Sequence, residues 1–221
     1  MKRIPVTILA ARTIANLSLP LLQELGCRQT QAAIALLATD CDDATYIALD
    51  EATKRANVEV IYARSLYAGA ANATNPLAGE VIGILAGPTP DEVESGLAAA
   101  VECLQGVGFC TADEAGKVAY LAHTVARTGT FLAQQAGIAP GQALAYLIAP
   151  PVPAILGLDA ALKAADVRFG TFYRPPSETN FAGALLTGTQ SACYAACRAF
   201  AQAIEEAAAR PCSIQEEYHG I

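Results

Sequence analysis

The ten residues Leu49–Val58 return at Leu158–Val167, six of them identical, at a constant offset of 109. Upstream, Ala11, Thr13, Ala15, Leu21, Gln23 and Gly26 return as Ala122, Thr124, Ala126, Leu132, Gln134 and Gly137, at an offset of 111. Chance supplies alanine matches, but not two ordered blocks at nearly one offset, so the chain holds two copies of one unit. With 221 residues in all, each copy has about 100, enough for a small core of its own.

Each copy shows the same order of elements. An apolar run, Ala32–Ala38 or Ala143–Ala149, fits a buried strand. A short helix follows, with Leu49, Ala52 and Ala56, or Leu158, Ala161, Leu162 and Ala165, spaced to one face. A second strand falls at Val58–Arg64 or Val167–Arg174, and a third at Glu80–Leu85 or Ala184–Thr187. A second helix closes the unit. In copy one its start is marked by Thr89 as N-cap, Pro90 at the first helical position and Glu92 completing a capping box. Cys193, Ala196, Cys197, Phe200, Ala203 and Ile204 give the matching stripe in copy two. The fold class is therefore α/β (α+β) with two tandem domains, 1–110 and 111–210, meeting near Gly108–Gly116; residues 211–221 fit no repeat element and read as a tail.

Composition narrows the function. The formal charge is −7 and no Lys/Arg run tracks a phosphate backbone, so no nucleic-acid partner is expected. Apolar runs stop well short of the roughly 20 residues of a membrane span, and Lys2 and Arg3 precede no secretory apolar core. A soluble, intracellular chain with no membrane partner is expected. Seven cysteines without paired spacing point to reduced thiols.

Catalytic candidates are few. The two histidines are His123, in an apolar segment, and His219, in the tail. Cys193 and Cys197 share a helix face but have no companion ligands, so they read as core, and no cofactor or metal is expected. Gly87-Pro88-Thr89-Pro90 lacks the Lys and Gly spacing of a phosphate loop. Two features carry more. Asp40-Cys41-Asp42-Asp43 follows the first strand and Glu80 starts the third, while copy two has Pro150-Pro151-Val152-Pro153 at the former place. Such acids suit a cation or amine, or else form a solvated turn and helix cap. The second feature is the long loop Ser65–Ala78, with its shorter counterpart Pro175–Ala182. A loop of fourteen residues inside a compact domain is usually functional or disordered.

Ala-X-Lys-Ala-Ala-Asx-Val, around Lys54–Val58 and Lys163–Val167, resembles the helix-to-strand signature of bacterial microcompartment shell domains. Asp50-Glu51-Ala52-Thr53-Lys54, Tyr62–Ala70, Ala149-Pro150-Pro151 and Pro176–Asn180 extend the likeness to tandem, circularly permuted members from about residue 10 to 208. The resemblance implies a non-enzymatic shell component of a bacterial microcompartment in the cytoplasm. It implies a homotrimer of six-lobed, hexagon-like outline that meets other shell proteins, with a gated central pore. The pore would be lined by Ser65, Leu66, Tyr67, Ala68, Gly69 and Ala70, with Ser177 and Glu178. Narrower openings would bind small polar molecules, an amino alcohol among them. Asp42, Asp43, Glu80 and Phe109 would serve there, with Thr179, Asn180 and Phe181 from copy two. Two other classes compete: a tandem ligand-sensing regulator, and an enzyme using Asp42, Asp43 and Glu80.

Overall fold

The structure, a computed structural model, describes residues 2–65, 81–175 and 180–212. Both copies build the order strand, short helix, strand, helix, strand, strand, helix. In copy one these are β1 (Ile8–Ile14), α1 (Leu19–Glu24), β2 (Ala33–Thr39), α2 (Asp42–Arg55), β3 (Glu59–Ser65), β4 (Val81–Gly87) and α3 (Pro90–Leu104). A two-residue strand, β5 (Cys110–Thr111), leads into copy two. There follow β6 (Ala119–Val125), α4 (Thr130–Ala136), β7 (Ala143–Ala149), α5 (Pro151–Ala164), β8 (Val167–Tyr173), β9 (Ala182–Gly188) and α6 (Gln190–Ala209). The sequence pattern expected three strands per copy; β1 and β6 add a fourth, and α1 and α4 were not expected.

The first sheet runs β1-β2-β4-β3 and the second β5-β6-β7-β9-β8, with every pairing antiparallel. The duplication reaches fine detail, because the register slips between Val60 and Tyr62 in β3 and between Phe169 and Thr171 in β8. Alternation along the strands sends side chains to two faces. Ala33, Ala35 and Leu37 of β2 face α2 and α3 in one core. Ile34 faces the other way, toward Leu17, Leu22 and Cys27 around α1. In copy two, Ala143, Ala145, Leu147 and Ala149 pack beneath α5 and α6.

The centre of the second sheet's opposite face is covered by copy one. Leu144, Tyr146, Ile148 and Leu185 belong to the same core as Ile47, Leu49 and Ala52 of α2. Copy one's helix therefore lies between two sheets, and β7 is buried along its whole length. A strand covered on both faces reads as a continuous apolar run, which is how Ala143–Ala149 reads.

Thr89 caps α3 as expected, its hydroxyl accepting from Glu92 N at 3.3 Å. The reciprocal half of the capping box is absent. The Glu92 carboxylate instead accepts from Asn57 N at 2.6 Å and ties the α2–β3 turn to α3. Cys193 and Cys197 are buried in the second core, as their helical spacing suggested.

Candidate functional site

The acidic run is not a solvated turn. Asp42 and Asp43 form the first turn of α2, with Cys41 as an extended N-cap at φ −147°. Thr39 Oγ1 accepts from Cys41 N at 3.1 Å and Thr45 Oγ1 donates to Cys41 O at 2.8 Å, fixing where the helix begins. Carboxylates suit this end because the helix dipole is positive there. Asp40 does something else: its Oδ1 accepts from Thr7 N at 2.8 Å and fastens the N-terminal segment to the end of β2.

Asp42 accepts at Oδ1 from Asp43 N at 2.8 Å and at Oδ2 from Ser65 Oγ at 2.7 Å. Ser65 also lies 2.7 Å from the Tyr46 hydroxyl. Asp43 is only 7% exposed and accepts from Tyr146 OH, across the boundary between copies, at 2.8 Å. Tyr146 in turn stacks on Tyr173 with ring centres 6.4 Å apart. Burial first, and then the neighbouring Asp42 charge, push the Asp43 carboxyl well above the usual carboxylate range; the Tyr146 hydrogen bond offsets part of this.

These groups line a cavity of about 700 Å³ where the copies meet, walled also by Phe131 and Phe181. The exposed Arg64 and Arg174 line it too, but among the described residues neither forms an ion pair with Asp42 or Asp43. Phe109 does not line the cavity directly. It meets Phe181 edge-on at 5.5 Å, so it supports the wall from behind. Asn180 is exposed and takes a left-handed backbone, φ 63°, just before Phe181. Glu80, Thr179, Leu66, Tyr67, Ala68, Gly69, Ala70, Ser177 and Glu178 lie outside the described residues, as does the tail from 213 onward.

Sequence reasoning missed three contributors. Tyr146 and Tyr173 sat unremarked inside strands; an isolated Tyr in the otherwise aliphatic Ala143–Ala149 run was the available signal. The third is Asp50, fully buried on α2. Its carboxylate accepts from Gly129 N at 2.7 Å and Leu132 N at 2.8 Å, capping α4 of the other copy. Gly129 is required there, since a Cβ would lie 2.2 Å from Thr53 Oγ1 and 2.5 Å from Asp50 O.

The rest of the described surface holds no catalytic set. No group of three His, Cys, Asp or Glu is placed to hold a metal among the described residues. Burial lifts the Cys197 thiol to about 11, which removes it as a nucleophile at neutral pH. His123 is held below its ordinary value by burial, then by Lys54 and Arg3. No described helix is long and apolar enough to cross a membrane.

Two α/β lobes sharing one core, with aspartates at their junction and no catalytic set, have clear relatives. The BMC domain family matches residues 33–119. The bacterial microcompartment shell protein EutL of Clostridium perfringens is 56% identical over 205 residues, covering 92% of this chain and 94% of that protein. EutL of Escherichia coli is 50% identical over 206 residues, covering 93% and 94%. The crystal structure of the ethanolamine utilization protein EutL from Leptotrichia buccalis superposes with a TM-score of 0.92 at 56% identity, covering 95% of this chain and 97% of that one. These likenesses define a structural shell protein of bacterial microcompartments, located in the shell and not an enzyme. Within that class the chain belongs to the EutL family.

Proposed function

We propose that the chain is a trimeric shell tile of an ethanolamine-type compartment, and that the junction between its lobes binds small amino alcohols on their way across the shell. The lobes, 1–110 and 111–210, would alternate around a six-lobed disc. On the family resemblance, segments 65–78 and 175–182 would line its gated central passage, and other shell proteins would meet its rim. The observation that carries the binding reading is Asp42, on the first turn of α2 at the cavity with the buried Asp43 beside it, and ion-paired to no described cation. An ammonium group accepts such company through charge-assisted hydrogen bonds, and the aromatic wall adds cation–π attraction. Glu80 precedes Val81 at the start of β4, and we assign it to the same opening.

A passage must bind weakly enough to release its cargo. A dissociation constant on the order of millimolar, near −4 kcal/mol, is expected. Calorimetric or NMR titration with ethanolamine and 1,2-propanediol tests this. Ethanolamine should bind more tightly, saturate at one per chain, and lose affinity selectively in Asp42→Asn and Glu80→Gln. Equal affinity for both compounds, untouched by either substitution, overturns the binding role and leaves the acids as helix-end charges.

A further inference from the structure

A second cavity lies away from the Asp42 site, at the edge of the second sheet. β5 is two residues long and pairs Cys110 with Tyr120 and Thr111 with Ala119. Beyond Tyr120, among the described residues, the outer edge of β6 has no strand beside it. The opening left there, about 920 Å³, is bounded by residues 120–124 of β6, by the first half of α6, and by the chain at Arg3 and 106–108.

Its lining runs against the charge of the molecule. The chain carries a formal charge of −7, yet Arg3, Arg198 and His123 line this cavity and no described Asp or Glu does. Neither guanidinium has an ion pair among the described residues. Glu205, about two turns further along α6, is engaged by the Tyr120 hydroxyl at 2.9 Å. Gln190 and Ser191 bring the first turn of α6 to the same opening, and with it the positive end of the helix dipole.

Both arginines sit on anchored backbone. Ile4 N donates to Phe109 O at 2.8 Å and Thr111 N to Lys2 O at 3.0 Å, which fastens the chain on either side of Arg3. Gly108 permits this approach, because a Cβ there would lie 2.6 Å from Ile4 O. On α6, Cys197 accepts from Thr124 Oγ1 at 3.3 Å and Phe200 is fully buried, so the turn carrying Arg198 is fixed. The repeat does not require this cluster. Aligning the N-caps Thr89 and Thr189 sets Glu94 and Ala98 of α3 in the places of Tyr194 and Arg198 of α6. The exposed tyrosine and the guanidinium one turn beyond it belong to copy two alone.

We infer that this cavity binds a phosphorylated small molecule, its phosphoryl oxygens between Arg3 and Arg198 and its organic part against Tyr194. Guanidinium forks match phosphate oxygens in geometry and charge. The tyrosine offers a flat apolar face, and an opening of this size holds a whole small ligand. ADP is the probe, titrated by calorimetry into the full chain at constant ionic strength, beside sulfate and adenosine. ADP should saturate at one per chain and bind at least about tenfold more tightly than sulfate, while adenosine should show no saturable binding. Arg3→Gln and Arg198→Gln, both exposed changes, should each weaken ADP about tenfold, and Arg198→Lys should weaken it less. Arg168→Gln removes the same charge from exposed β8 and should leave ADP binding unchanged. ADP that fails to saturate, sulfate that binds as tightly as ADP, or equal weakening by Arg3→Gln, Arg198→Gln and Arg168→Gln overturns the site.

Discussion

Helices α2 and α5 occupy the same place in the repeat and have opposite outer faces. Toward their own sheets they are nearly interchangeable: Leu49, Ala52 and Ala48 on one match Leu158, Ala161 and Gly157 on the other, all buried or tightly packed. Away from those sheets, α2 carries Asp43 and Asp50, each bonded to groups of the second copy. At the same positions α5 carries Val152, which is exposed, and Asp159, paired among the described residues with Lys163 of its own helix. Duplication thus supplied two equal helices, and the outer face of α2 is fitted to the second copy that covers it. A face that is always covered can hold a buried carboxylate with designed donors.

The largest effect tests Asp50 against Asp159. Asp50→Ala strands two buried N–H groups at the start of α4 and should cost about 2–4 kcal/mol of folding stability. Asp159→Ala removes a surface pair on one helix and should change the folding of a dilute, unassembled chain by less than about 0.5 kcal/mol. Urea unfolding of both variants measures the contrast. Equal losses would mean that Asp50 is no more a keystone than its exposed counterpart.

A smaller effect follows from Asp43. Its folded-state carboxyl is raised, so between the ordinary carboxylate range and that raised value the folded chain holds a proton that the unfolded chain has released. Stability therefore falls as pH rises through that window and is flat beyond it. Asp43→Asn keeps an acceptor for Tyr146, should flatten the profile, and should leave the chain more stable than wild type at pH 7. Unfolding free energies from pH 4 to 8 supply the check; a wild-type profile as flat as that of Asp43→Asn contradicts the raised carboxyl. Val152→Asp, by contrast, should leave the pH profile of the single chain unchanged.

These contrasts also mark what the sequence makes legible. The core strands β2, β4, β7 and β9 and the cap of α3 follow from apolar runs and from Thr89-Pro90, because local pattern decides them. β1 and β6 carry Arg12, Thr13, His123 and Thr124 among small apolar residues and show no clean alternation. Their pairing with β2 and β7 is a long-range event that no short window displays. The same holds at the site. Asp42 and Asp43 are conspicuous as acids, but the burial of Asp43 depends on Tyr146, 103 residues away. Asp50 looks like any helix-surface acid until α4 of the other copy is set against it. What is hidden in the sequence is therefore the junction, while the two lobes show through.

The most direct test of the account is the native mass of the wild-type chain across micromolar concentrations. Three chains of 22.8 kDa, about 68 kDa together, are predicted as the dominant species, with six lobes around one axis in averaged electron micrographs. A mass that remains at one or two chains throughout that range contradicts the disc.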